Sequence, residues 1–152
     1  MGKFYCLLFF IGFGFFSFCQ KSSVYSALKA DSKEIISKEL SKLNTVNQLN
    51  VKKCYEGALN CKIASFEKSP IDKLGYFKKG ALLIESSIKA DPNNAELRFL
   101  RLLIQENAPP IVRYNSDIQK DCIVIKENFN SVGIELKTLI TDYSKKSKHL
   151  HL

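Results

Sequence analysis

The chain has 152 residues, and 23 Lys and Arg against 15 Asp and Glu give it a formal net charge of +8. Hydrophobic residues make up 45% of the composition and charged residues 25%, with seven Gly and four Pro. These values exclude a disordered polar chain, a collagen-like repeat and a Pro/Gly low-complexity segment, and the length favours a single domain.

The first nineteen residues have the pattern of a secretory signal peptide. Lys3 precedes an uncharged apolar run from Phe4 to Cys19, and the sequence becomes polar at Gln20. The run is shorter than the roughly 18 residues that a membrane-spanning helix needs. We therefore predict a signal peptide over 1–19 and export to the periplasm or the medium, without a transmembrane span in the mature chain.

Small side chains at Ser17 and Cys19 predict that the chain is cut between Cys19 and Gln20. Two other interpretations are open, a lipid-anchored form through Cys19 and an uncleaved anchor. The bulky Phe18 directly before Cys19 argues against the lipid-anchored form.

The mature chain shows helical periodicity almost throughout, which predicts an all-α fold of about six helices in an antiparallel array. We expect one helical domain over 20–148 and a disordered tail over 149–152. Asp31 with Glu34 predicts the N-terminus of a first helix that runs to about Asn44. A second helix should end near Lys68; its apolar face is Val51, Cys54, Tyr55, Ala58, Cys61 and Ile63.

Ser69 and Pro70 predict the start of the third helix, as N-cap and first helical residue. Its apolar stripe is Leu74, Phe77, Ala81, Ile84 and Ile88. Gly80 on this stripe should let a neighbouring backbone approach closely.

Three further helices follow. Asn93 with Glu96 and Ser116 with Gln119 predict capping boxes for the fourth and fifth helices. The sixth has an apolar face of Leu136, Leu139, Ile140 and Tyr143, and we expect the Lys-rich segment from Ser144 to fray.

The segment Ile88–Leu97, with Asp-Pro-Asn-Asn at its centre, resembles the junction between two tetratricopeptide repeats. With Pro92 as the late proline of the repeat, Gly80, Ile84 and Ser87 fall at its small, bulky and small positions. The resemblance covers Gly80 to Leu103 and implies a helix-turn-helix. Lys68 stands where the first helix of the repeat has Gly, and no second copy is visible.

A wider stretch, from Lys73 through Glu85 to Pro109, resembles a group of small exported bacterial helical proteins of unknown role. This resemblance implies a helical fold and export. It implies no activity and no site residues.

Arginine usage points to candidate binding residues. The chain has twenty Lys and only three Arg, at Arg98, Arg101 and Arg113. Scarce Arg among many Lys indicates positions that need a planar guanidinium with several donors. The three could form a patch for an anion or for a partner's carboxylate. Alternatively, Arg98 and Arg101 could pair with acidic groups such as Glu85 and Asp121 and fix helix packing.

Three cysteines follow the predicted cleavage site. Cys54 and Cys61 are seven residues apart on one helix, about 10 Å, which is too far for a mutual disulfide. Cys122 could pair with either, but buried free thiols are favoured because all three lie on apolar faces. The spacing predicts no metal site.

Recognisable catalytic motifs are missing from the sequence, and the two histidines, His149 and His151, lie in the predicted tail. We therefore expect a non-enzyme with no cofactor. The lysines are dispersed among acidic residues, which argues against nucleic-acid binding.

We predict a non-catalytic interaction or scaffold module of the cell envelope that holds a segment of another protein. A small-ligand or anion-binding helical module is the alternative, and an enzyme of unrecognised type is the third. The oligomeric state stays open.

Overall fold

A computed structural model of the protein describes the backbone of residues 13–152 and the side chains of residues 21–152. This part of the chain contains seven α-helices and no β-strand, which confirms the all-α prediction. The helices are α1 (Phe13–Lys29), α2 (Lys33–Lys42), α3 (Leu49–Ile63), α4 (Pro70–Ala90), α5 (Ala95–Asn107), α6 (Ile118–Asn128) and α7 (Ile134–Ser144). No described helix is long and apolar enough to cross a membrane.

The helix that the sequence analysis did not predict is α1. Its described part, Phe13–Lys29, crosses the predicted cleavage site. The rest of the predicted signal peptide, residues 1–12, lies outside the described residues. Val24, Tyr25 and Ala27 are all buried, so the C-terminal half of α1 belongs to the core.

One core joins all seven helices. Its fully buried members include Val24, Ile36, Tyr55, Ile84, Leu100, Ile125 and Ile140, one from each helix in chain order. Every residue of α5 from Ala95 to Leu102 is buried, so this helix lies at the centre of the array.

One predicted N-cap is confirmed, and three others differ from the structure by one residue. Ser69 caps α4 as predicted, because its hydroxyl accepts a hydrogen bond from the N–H of Asp72. Three predicted caps lie one residue too early, since the observed N-caps are Ser32 instead of Asp31, Asn94 instead of Asn93 and Asp117 instead of Ser116. Ser32 and Asn94 have extended backbones and accept hydrogen bonds from the first turn, whereas the Asp117 side chain makes no cap bond. Among neighbouring polar residues the sequence does not show which one is the cap.

The C-terminal segment packs instead of fraying. Leu150 is fully buried in the core, and the Ser147 hydroxyl accepts hydrogen bonds from the N–H groups of His149 and Leu150. The predicted disordered tail over 149–152 therefore differs from the structure as far as Leu150. The apolar Leu150 side chain draws the preceding Lys-rich segment onto the domain.

Helices α3 and α4 approach each other through two glycines. A Cβ atom built on Gly80 would meet the carbonyl oxygen of Gly57 and would lie 2.5 Å from Cys61 Sγ and 2.8 Å from Cys61 N. A Cβ on Gly57 would lie 2.7 Å from the carbonyl oxygen of Gly80. The close approach predicted for Gly80 is confirmed, with Gly57 as its counterpart on α3.

Gly80→Ala should therefore destabilise the fold, because the added methyl would push the two backbones apart. Overpacking of this kind costs about 1–3 kcal/mol, and urea unfolding measures it. Gly75→Ala is the matched control on the same helix, where nothing lies within 4 Å of the new Cβ. It should be neutral or stabilising by up to about 1 kcal/mol. Equal effects of the two substitutions would contradict the glycine contact.

Candidate functional site

A buried carboxylate, Asp121 on α6, holds two arginines of α5. Asp121 is fully buried, and Arg98 and Arg101 are each 3% exposed. Arg101 Nε lies 2.8 Å from Asp121 Oδ2, and its Nη2 lies 2.6 Å from Oδ1, so the pair is bidentate. Arg98 Nη1 lies 3.1 Å from Oδ1, and Gln105 Nε2 lies 2.7 Å from Oδ2. We call these four residues the Asp121 network.

The remaining guanidinium donors of the network are also bound. Arg98 donates through Nε and Nη2 to the carbonyl oxygen of Pro92, at 2.9 and 2.7 Å. Arg101 Nη1 lies 2.7 Å from Glu85 Oε2. Burial alone would lower the pKa of Arg101, but hydrogen bonds and charge from Asp121, with Glu85, raise it above its ordinary value.

Arg98 and Arg101 were interpreted either as a binding patch or as ion-pair partners between helices. In the structure they form ion pairs between helices. Arg98 and Arg101 are buried, and their donors point at Asp121, Glu85 and the Pro92 carbonyl. They are not available to an external anion or to a partner, which corrects that prediction for both. Arg113 differs, because it is exposed, with a left-handed backbone at φ 50°.

An open apolar groove lies beside the network, between α4 and the segment that follows α5. Its volume is about 350 Å³, and it is lined by Leu74, Phe77, Lys78, Ala81, Leu82, Glu85, Val112 and Tyr114. We call it the α4 groove. Phe77 and Tyr114 meet edge to face, with ring centroids 5.5 Å apart.

Glu85 joins the groove to the Asp121 network. One carboxylate oxygen accepts from Arg101, and the other accepts from the Tyr114 hydroxyl at 2.6 Å. Burial, followed by the hydrogen bond to Glu85, raises the pKa of Tyr114, so its hydroxyl stays protonated as the donor. Glu85 was expected from the sequence as an arginine partner, but its bond to Tyr114 was not, because the two residues are far apart in the chain.

The exposed wall of the groove is an apolar row on α4. Leu74 is 44% exposed and Leu82 is 71% exposed, and Ile71, one turn before Leu74, is 82% exposed. Lys78 lies between the two leucines and is also exposed. Large aliphatic side chains in contact with water along one helix face indicate a surface that another molecule can cover.

The cysteines offer no chemistry to the site. Cys54, Cys61 and Cys122 are free and buried, so no disulfide joins Cys122 to Cys54 or Cys61. Burial raises the pKa of Cys61 to about 12 and also raises the pKa of Cys54 and of Cys122. All three are therefore protonated at neutral pH, and a thiol reacts as its thiolate. Among the residues with described side chains, no group of His, Cys, Asp and Glu could hold a metal ion.

A second polar cluster fixes the C-terminal segment. The Glu106 carboxylate accepts hydrogen bonds from the Tyr143 hydroxyl at 2.5 Å and from the Ser147 hydroxyl at 2.7 Å. His149 Nδ1 lies 2.8 Å from the same carboxylate. Burial acts to raise the pKa of Glu106, but these three hydrogen bonds outweigh it and hold the pKa below the ordinary value of 4.5.

The fold and the site define an all-α domain with an open apolar groove braced by a buried ion-pair network. No protein-family model matches the chain, and neither a curated protein nor a solved structure matches it.

Asp121→Asn should be strongly destabilising, because it removes the negative charge that Arg98 and Arg101 share and leaves these buried cations without it. Loss of one partner in a buried ion pair costs about 3–5 kcal/mol, measurable by urea unfolding. Asp117→Asn is the control, because Asp117 Oδ1 is 3.6 Å from Arg101 Nη2 and its side chain is 40% exposed. That change should cost less than about 1 kcal/mol.

The C-terminal segment should detach in acid. The lowered pKa of Glu106 means that its contribution to stability is present above pH 4.5 and is lost as the pH falls below that value. The methyl NMR signals of Leu150 should move toward their free positions over this range. Glu106→Gln should weaken the docking at neutral pH, whereas Asp142→Asn, an exposed carboxylate paired with Lys145, should not. Unchanged Leu150 signals in acid would contradict the role of Glu106.

Proposed function

We propose that the protein is a non-catalytic interaction module of the cell envelope, and that its α4 groove holds an amphipathic, acidic segment of another protein. The observation that carries the proposal is the exposed apolar row of Leu74 and Leu82 beside Phe77 and Tyr114. Leu74 and Leu82 are eight residues apart, about 12 Å along α4. That length matches two turns of a partner helix laid in the groove.

Charge at the groove supports an acidic occupant. Lys78 lies between the two exposed leucines, and the exposed Arg113 lies between the groove residues Val112 and Tyr114. The acidic residue of the groove, Glu85, already accepts from Arg101 and Tyr114. With a formal net charge of +8, the chain should attract acidic partners over a longer range.

The tetratricopeptide resemblance supports the same class of function. The matched positions Gly80, Ile84 and Ser87 are all buried on the inner side of α4. Lys68 departs from the repeat pattern, and Gly80 makes its close approach to Gly57 on α3. Repeats of this kind use the concave surface formed by their stacked helices to bind other proteins.

Export is part of the proposal and rests on the signal-peptide pattern of residues 1–19. The alternative, a small-ligand or anion-binding module, has less support. The groove is open, and Arg98 and Arg101 are occupied by neighbouring groups.

The test uses fluorescence anisotropy with short amphipathic helical peptides. The first peptide carries Glu beside its apolar face, and the second peptide carries Lys at the same positions. We expect tighter binding of the Glu peptide, and Leu82→Asp should weaken this binding by about tenfold or more, or about 1.4 kcal/mol. Lys78→Glu should reduce or reverse the preference for Glu over Lys.

Ile123→Asp is the matched control. Ile123 is 56% exposed on α6 and is not a groove residue, so its replacement should leave peptide binding unchanged. Binding that is equally strong in the Leu82→Asp variant would rule out the groove. Binding that depends on Leu82 but not on peptide charge would retain the groove and refute the acidic partner.

A further inference from the structure

Three carboxylates from three different helices converge on one turn of α1. Lys21 Nζ lies 2.5 Å from Glu96 Oε2 on α5. The Glu135 carboxylate on α7 faces the backbone N–H of Ser22, which acts to lower its pKa. The Ser23 hydroxyl donates to Glu39 Oε1 on α2 at 2.5 Å. Residues 21–23 are therefore surrounded by negative charge.

This placement is unusual for the interior of a helix. Within a helix, each N–H is bonded to the carbonyl four residues earlier, and acidic side chains gain nothing from the helix dipole. At a helix N-terminus the first N–H groups are free, and nearby carboxylates stabilise them. The three carboxylates suit a helix that begins near Gln20 better than one that continues back across Cys19.

Two buried polar atoms at this place lack a partner. One is Oε1 of Glu135, and the other is the hydroxyl of Tyr25, a residue only 3% exposed. The negative charges of Glu96 and Glu135 both act on that hydroxyl. Burial, with a smaller contribution from Glu96, raises the pKa of Glu135 although Lys21 is close by. Lys21 pairs with Glu96 and Lys42 pairs with Glu39, so two lysines serve three carboxylates. Glu135 therefore has an acceptor to spare and no lysine paired with it.

The cleavage predicted from the sequence would supply a positive charge at this place. A cut between Cys19 and Gln20 places an α-ammonium group two residues before Ser22, about 3 Å along the helix axis. A signal-peptide endoprotease would catalyse the step with one water. The bond between the carbonyl carbon of Cys19 and the nitrogen of Gln20 breaks. The hydroxyl of the water goes to that carbon and its hydrogen to the nitrogen, and at neutral pH the new carboxyl group of Cys19 gives up its proton as the amine takes one.

We propose that Glu135 and Glu96, beside Tyr25, form the receiving site for the amino terminus that is created when the chain is cut before Gln20. The α-ammonium group donates to Glu135 Oε1, and the freed N–H groups of the new first turn face the surrounding carboxylates. Cleavage thereby completes the fold of the domain. The proposal is independent of the α4 groove.

The first measurement is the mass of the protein that cells export when they express the full chain. We expect a chain that starts at Gln20. An intact chain, a lipid-modified Cys19 or a start at another residue would overturn the proposal. Mass also shows whether the amine is free, because an N-terminal Gln can cyclise and lose it.

The second measurement compares this processed protein with the same protein acetylated at its amino terminus, which removes the charge. Acetylation should lower the folding equilibrium constant about tenfold, the usual scale for a hydrogen bond between charged groups. In the Glu135→Gln variant, acetylation should have no effect. In Glu127→Gln, an exposed control on α6, it should have the full effect.

The charge of the amine also predicts a pH dependence. An ammonium group held by a carboxylate titrates above its ordinary value of about 8, so the difference between free and acetylated protein should be present at pH 7 and vanish above about pH 10. The other titratable groups facing the site are Lys21, Tyr25, Tyr55, Cys54, Glu96, and Glu39 with its partner Lys42, and they are shared by both forms. An equal effect of acetylation in wild type and in Glu135→Gln would overturn the proposal.

Discussion

The carboxylate of Asp121 is the constraint on which the arrangement of the helices depends. It is fully buried on α6, and two guanidinium groups and one amide of α5 enclose it. Apolar packing tolerates small sliding between helices, whereas hydrogen bonds to one carboxylate have a direction and a length. We infer that the Asp121 network sets the register of α5 against α6. It also explains the use of Arg in a Lys-rich chain, because a Lys offers no bidentate contact.

The network reaches the surface through Glu85. This residue takes a hydrogen bond from Arg101 on its buried side and another from Tyr114 on its groove side. Tyr114 in turn packs on Phe77, so the wall of the α4 groove is held by a chain of contacts that begins at Asp121. A groove with a rigid wall loses less conformational entropy when a partner binds than a groove formed by mobile side chains. The buried ion pairs do not contact the proposed partner segment, but they hold the wall of the α4 groove that would bind it.

The amino-terminal end of the domain follows another rule. The second half of α1 is core, with Val24, Tyr25 and Ala27 buried, while the turn before it is ringed by Glu39, Glu96 and Glu135. We call these three carboxylates around residues 21–23 the carboxylate collar. Buried apolar residues directly after such a polar turn are what we expect where a folded domain begins. Export and folding would then be linked, since the proposed cut would expose the amine that the collar receives. The groove and the collar lie on different helices and can be tested separately.

The sequence by itself determined the elements and some of their contacts. Periodicity predicted every helix from α2 to α7, Ser69 and Pro70 marked the start of α4, and Gly80 was identified as a point of close approach. The pairing of Arg98 and Arg101 with Glu85 and Asp121 was among the interpretations that spacing allowed. These features are local or follow from residue chemistry, so one sequence window is enough to see them.

Only the tertiary structure decided between the interpretations of the arginines. It alone brought Gly57 to Gly80, Tyr114 to Glu85 and Leu150 into the core. Each of these contacts joins residues far apart in the chain, and their partners depend on how the helices pack. Helix periodicity shows which face is buried but not what covers it. The packing of all seven helices together decides which residues cover each face. It buried Arg98 and Arg101 and left Leu74 and Leu82 of the groove exposed.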